Sequence, residues 1–214
     1  MIKRLAIHRL KQFSLEESAA SLIELAIVIA LFLLILFGLI DYGRFAFHFV
    51  TTERAMHVAA RIAVVRPPAC TGVPDTNERP AVPSTPAPQY GTNCNAAANV
   101  CKVVADVACD GNAANATAAE IWNVVEPTLP GGSTIANLRF RYTSDTDLGF
   151  LGGPYVPIVT VELQNVVFQF VTPLGALAAL ATGTSGGNNL NADIQFPSMS
   201  VSLPAEDLNQ GNNG

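Results

Sequence analysis

Charge is scarce in this chain: 12 Lys/Arg and 17 Asp/Glu make up 14% of 214 residues, against about a quarter in an ordinary soluble domain. Cations become rarest after residue 66. Residues 67–214 hold four Lys/Arg and twelve Asp/Glu, whereas residues 1–66 hold eight and five. With a pI near 5.1 there is no chain-wide basic surface, so nucleic acid is not an expected partner. Histidine is nearly absent. His8, His48 and His57 all precede residue 58, which leaves the acidic remainder without an imidazole for a Ser/His/Asp set. No phosphate loop or metal-ligand cluster is visible either, so no enzyme activity, catalytic residue, metal, cofactor or small-molecule substrate is expected. The absence of any C-x-x-C removes the usual zinc and thioredoxin-like spacings. Apolar residues are not lacking. At 50% of the chain and a mean hydropathy of +0.33, they exclude disorder throughout.

Much of that hydropathy lies in one segment. Leu25–Ile40 reads LAIVIALFLLILFGLI, sixteen residues without a charge, and extension back to Ala19 adds only Glu24. As a helix, 22 residues span about 33 Å, enough for a hydrocarbon core of ~30 Å. A soluble core helix seldom stays apolar on every face for over four turns. A cleaved secretory signal has a shorter apolar region ending at a small-x-small site, and here DYGRFAFHF follows instead. The expectation is a retained single membrane span. Lys3, Arg4, Arg9 and Lys11 precede it and favour a cytoplasmic N-terminus. The acidic body would then be periplasmic or extracellular, with the span in the inner (cytoplasmic) membrane.

Glu24 is costly at such a position, on the order of 2.5–3.5 kcal/mol at a helix centre, and calls for a partner or a role. Its surroundings, Ala20-Ser21-Leu22-Ile23-Glu24-Leu25-Ala26, resemble the N-terminal region of type IV pilins and pseudopilins. Phe37-Gly38-Leu39-Ile40-Asp41-Tyr42-Gly43-Arg44 is similar to the FG-[IL]-[IVL]-[DE]-[FY]-G-R pattern of TadE-like proteins, minor pilins of tight-adherence (Flp-type) pilus systems. Thr51–Ala63 resembles that family's Ala-rich continuation, and Phe170-Val171-Thr172-Pro173-Leu174 more loosely its F-x-P-L string. The resemblance implies a prepilin peptidase cutting between Ala19 and Ala20, where family precursors most often carry Gly before the cut. Glu24 becomes the fifth mature residue. The partners implied are that peptidase, a partner minor pilin, the major pilin and an assembly platform driven by an ATPase. Glu24, Gly38, Asp41, Gly43 and Arg44 would be subunit contacts. A second reading, from another class, is an uncleaved membrane-anchored envelope binding protein.

Asp41, Arg44 and His48 are spaced to share one helix face, and Glu53 and His57 form an i,i+4 pair. Arg66-Pro67-Pro68 ends the helical pattern. Seven prolines between residues 67 and 93 then read as a loop or semi-extended arm. Four cysteines, Cys70, Cys94, Cys101 and Cys109, suggest disulfides in an exported region, with three connectivities open. A helix over Asn95–Ala108 would hold Cys101 and Cys109 about 12 Å apart along its axis, which disfavours that pair. A second short helix is expected over Asn115–Val125. Strands are expected over Thr134–Thr143, Ile158–Val171 and Asp193–Leu203, with Pro197 placing the last at an edge or bulge. A small helical turn could fall at Gly175–Ala181. Asp145-Thr146-Asp147 with Gly149 reads as a turn, since a calcium loop would need more oxygen ligands. Asn115-Ala116-Thr117 matches a glycosylation acceptor.

The expected architecture is α+β: a leader (1–19), a transmembrane and juxtamembrane helix (20–66), a Pro-rich linker (67–94), and a small extracytoplasmic body (95–214). That body combines short helices with a mainly antiparallel sheet.

Overall fold

A computed structural model describes residues 17–81, 83, 85–171, 193–206 and 208, with backbone alone for 17–20 and 193. The order is helix α1 (Glu17–Val65), strand β1 (Val107–Asp110), helix α2 (Ala116–Val125), two 3₁₀ turns (Glu126–Thr128 and Ile135–Asn137), then strands β2 (Leu138–Thr143), β3 (Ile158–Leu163), β4 (Val167–Gln169), β5 (Asp193–Gln195) and β6 (Met199–Pro204). A long apolar helix thus precedes a small domain of short helices and antiparallel sheet, the α+β arrangement expected. The expected turn at Gly175–Ala181 and Thr172-Pro173-Leu174 lie outside the described residues. Among the described residues, 17–45 with 170–171 make one compact unit, and 46–169 with 193–208 the other.

In the second unit, residues 46–65 of α1 supply core. Thr52, Ala55, Met56, Ala59, Ala60, Ala63 and Val64 are buried, a stripe recurring every three and four residues as a helix requires. Val64 carbonyl, one of the last four without a partner inside the helix, accepts from the Glu206 N–H at 3.1 Å. Strand order is β1-β2-β3-β6, all antiparallel. Leu138, Phe140 and Tyr142 on β2 and Val159, Val161 and Leu163 on β3 are buried on one face, and Arg139, Arg141, Thr160 and Glu162 alternate onto the other. That is the period-2 pattern of a sheet with one covered face. Helix α2 buries Thr117, Ala118, Ile121 and Val125, and its N-cap Asn115 accepts from the Ala118 N–H.

Three expectations are corrected. First, no helix occupies Asn95–Ala108. Those residues form turns and an extended stretch that becomes β1. Cys94 is bonded to Cys101, with Cα atoms 5.1 Å apart. Seven residues along a helix advance about 10.5 Å, so this bridge and that helix exclude each other. Asn99 at φ 61 also leaves helical backbone. The other pair is Cys70–Cys109. Second, the expected strand Ile158–Val171 is two. Asn165 has φ 55, and Asn137 Nδ2 donates to the carbonyls of Gln164 and Asn165, both at 3.0 Å, ending β3. Third, Asp193–Leu203 divides at Pro197, which has no N–H for a ladder. Both breaks fall opposite each other: β4 pairs β5, β3 pairs β6, and the Phe196 N–H donates to the Val166 carbonyl. Strand β6 is the sheet edge that Pro197 predicts.

The Pro-rich stretch is irregular and hydrogen-bonded into the second unit. Asn77 exchanges backbone bonds with Gly152 and Gly153, and Tyr155 N–H donates to the Asp75 carbonyl at 3.0 Å. Gly149, at φ 86, lies where a Cβ would meet Asn77 Nδ2 at 2.6 Å, so close approach requires glycine there. The Tyr142 hydroxyl accepts from the Ala69 N–H at 2.8 Å. Burial raises the Tyr142 phenol above its ordinary value, with the Ala69 hydrogen bond opposing; burial raises Tyr155 as well. A phenol raised in the folded state contributes stability below its unfolded value near 10, and that contribution is lost as pH climbs from there through the folded value. Urea unfolding of the detergent-solubilised chain, followed by the fluorescence of Trp122, should therefore show midpoints falling above about pH 10. Tyr142→Phe should flatten part of that fall and cost about 1 kcal/mol at neutral pH, because the Ala69 N–H loses its acceptor.

Candidate functional site

The first unit presents the apolar part of α1. Helices need Leu, Ala and Ile without proline, and residues 21–45 have none. From Ser21 the helix contains an 18-residue window of mean hydropathy 3.0, none of it covered by the rest of the chain. Leu22, Ile23, Leu25, Phe32 and Ile35 are each more than half exposed. A helix apolar all round needs an apolar surrounding, and this one is long enough to serve as a single-pass membrane anchor. Glu24 is the one ionisable side chain between Ser21 and Ile40, and it is exposed like its neighbours. Ala19 and Ala20 belong to the helix by backbone.

Immediately after the apolar run, Asp41 is fully buried. Arg44 reaches it at 3.4 Å, three residues on, and the Val171 N–H donates to the same carboxylate oxygen at 3.2 Å. Both contacts compensate a carboxylate removed from water, which alone would be destabilising. Tyr42 lies 6.2 Å from Phe170, ring to ring. Gly38 is half-buried. A Cβ at Gly43 would meet nothing within 4 Å, so its lack of a side chain serves no packing among the described residues.

His48 lies on the same continuous helix, three and seven residues being the helical spacings that put Asp41, Arg44 and His48 on one face, but its own contacts lie elsewhere. Its Nδ1–H donates to the Thr128 carbonyl at 2.8 Å, and its ring stands edge-on to Phe168 at 6.0 Å. Thr52 Oγ1 donates to the same carbonyl at 3.1 Å. These are ties within the second unit. Four turns on, Arg66 forks onto Glu120 at 3.1 and 3.2 Å, and Thr117 and Asn115 donate to the carbonyls of Pro67 and Pro68. Sequence spacing identifies helix faces but not the distant carbonyl that claims one member. Glu53 and His57 are exposed.

The remaining polar motifs resolve locally. Asp145 Oδ1 accepts from the Asp147 N–H at 2.9 Å, and Asn95 donates to Asp147, a turn held by an Asx bond. Asn115 uses its amide oxygen as the α2 cap and its amide nitrogen toward Pro68. Among the described residues no group of three or more His, Cys, Asp or Glu could hold a metal ion.

Residues 19–61 match the family model for TadE-like proteins, so the family that the stem motifs resemble is the one found over the same stretch. No curated protein and no solved structure matches the chain.

Proposed function

We propose that this chain is a TadE-like minor pilin or pseudopilin that acts in assembly of a tight-adherence pilus. The observation that carries this reading is the coincidence of the family match over residues 19–61 with an apolar, uncovered helical segment, 21–40, in which Glu24 is the single carboxylate. A prepilin peptidase removes residues 1–19 at Ala19–Ala20. The mature stem, 20–66, then joins the Pro-rich stretch 67–94 and the body 95–214. The N-terminus is cytoplasmic and the body lies across the inner membrane. The two formed disulfides support an oxidising compartment for it.

Assembly is then a packing process. Two charges are each costly in hydrocarbon, and they compensate one another when paired. Glu24 of one subunit therefore takes the new α-ammonium of a neighbour's Ala20. Gly43, open on its Cβ side, lets a second backbone come close, and Gly38, Asp41 and Arg44 complete the contact surface. The partners are the peptidase, a second minor pilin, the major pilin and the platform with its ATPase.

N-terminal peptide and intact-mass analysis of membrane-extracted protein, from hosts with and without the peptidase, tests this. The expected result is a peptidase-dependent start at Ala20 that is lost in Ala19→Leu. Glu24→Gln should abolish co-purification with pilus components. A start at Met1 or Ile2 in both hosts overturns processing and favours the anchored envelope binding protein.

A further inference from the structure

The charge-free run of α1 ends at Ile40. From Ala20 to Ile40 the helix advances about 31 Å, so Asp41 and Tyr42 fall where the headgroup layer of a bilayer begins. Three side chains around this point are large, apolar in body and open. Leu39 is 67% exposed, Tyr42 68% and Val171 73%. Val171 is not on the helix. It begins the long connection from β4 to β5, and it is fastened to α1 by its N–H on the Asp41 carboxylate and by Phe170 against Tyr42. A buried carboxylate that accepts a backbone N–H so close to the span fixes where this connection starts. The connection itself carries no opposing charge. From Leu163 to Ala192 the sequence has no Lys, Arg, Asp or Glu.

We propose that Tyr42 and Val171 form a lipid-contact patch at the headgroup–acyl boundary, so that the chain meets the bilayer at the start of the β4–β5 connection as well as through its helix, with Asp41 as the positioning residue. The proposal rests on α1 spanning a membrane. Lipid is the occupant because the patch is continuous with the apolar helix surface through Leu39 and Ile40, and because a tyrosine with an apolar ring and polar tip suits that depth. An isolated exposed valine would need no explanation. This one is tied to the helix at the depth where the apolar surface ends.

The test uses the full chain in phosphatidylcholine vesicles with or without brominated acyl chains, Trp122→Phe being the background. Tryptophan is placed at Val171, at Leu39 within the span, and at Val103, which is 81% exposed in the second unit. Fluorescence of Val171→Trp should fall at least about twofold in brominated vesicles, as for Leu39→Trp, with Val103→Trp unchanged. Adding Asp41→Asn should reduce the quenching at 171 and leave that at 39 intact. Quenching at 39 but not at 171 overturns the proposal and spares the membrane span. Quenching at neither overturns both. A 171 probe shielded from aqueous acrylamide yet unquenched by bromine shows protein on the patch and overturns the lipid assignment.

Discussion

Replacing Cys70 and Cys109 together by serine is expected to lower the unfolding free energy by about 4 kcal/mol, and replacing Cys94 and Cys101 by about 2.4 kcal/mol. The difference comes from loop length. The first bridge closes a loop of 39 residues and the second a loop of seven. Denatured-chain entropy removed by a cross-link grows with the logarithm of that length, which yields roughly those two values. The packing around the first bridge adds to its effect. Cys70 is 5% exposed, its sulfur lies 3.7 Å from the Phe140 carbonyl, and Cys109 sits opposite Phe140 in the β1–β2 register. The bridge therefore ties the stretch that follows α1 to the edge strand of the sheet, next to its most buried ring. Losing it frees β1 on one side. The smaller loop holds turns at the surface, where Asn95, Ala96, Ala97 and Ala98 are exposed. Urea titration of the two double mutants, with Trp122 as reporter, measures both. Equal losses, or a greater loss for the short loop, would refute the ordering. A reduced wild-type chain should resemble the Cys70/Cys109 mutant more than the other, because the longer loop regains more freedom when it is opened.

How far the sequence carries depends on whether the deciding contact is local. The α1 span, the short helix near Asn115–Val125, the end of α1 at the proline pair and the alternation on β2 and β3 are all written in spacings of one to four residues. The structure ends α1 at Val65 and α2 at Val125, while β2 begins at Leu138, four residues after the expected Thr134. The Asn95–Ala108 stretch fails because its alanines favour helix, while the Cys94–Cys101 bridge and Asn99 decide otherwise. A covalent bond across seven residues outweighs a few tenths of a kcal/mol of propensity per residue. The split strands fail for a related reason. Val166, Val167 and Phe168 continue the β pattern of β3, and the break comes from Asn137, 27 residues earlier. At the candidate site, Glu24 and the Gly38–Arg44 string are legible because they are short and contiguous. The Val171 N–H on Asp41 is not, since 130 positions separate them. The His48–Thr128 bond spans 80.

The buried stripe from Thr52 to Val64 carries the other large prediction. Met56→Ala should destabilise the chain by about 3 kcal/mol, within the range for removing a buried long side chain. Val58→Ala should stay within about 0.5 kcal/mol. Met56 has no solvent exposure and lies between Ala55, Ala59 and Ala60, all buried. Alanine neighbours are too short to fill the volume that the thioether leaves, so the cavity persists and adds to the lost transfer energy. Val58 is 45% exposed, and its truncation removes surface already in contact with solvent. The pair separates two accounts of residues 46–65. If they are core of the folded body, the two substitutions differ several-fold. If this half of α1 is only a stalk carrying the apolar stem, neither substitution moves the unfolding midpoint. The charge change near residue 66 favours the stalk, because it sets the division where the helix ends. The buried stripe favours the core, and it does so through seven side chains whose spacing no unpacked helix needs.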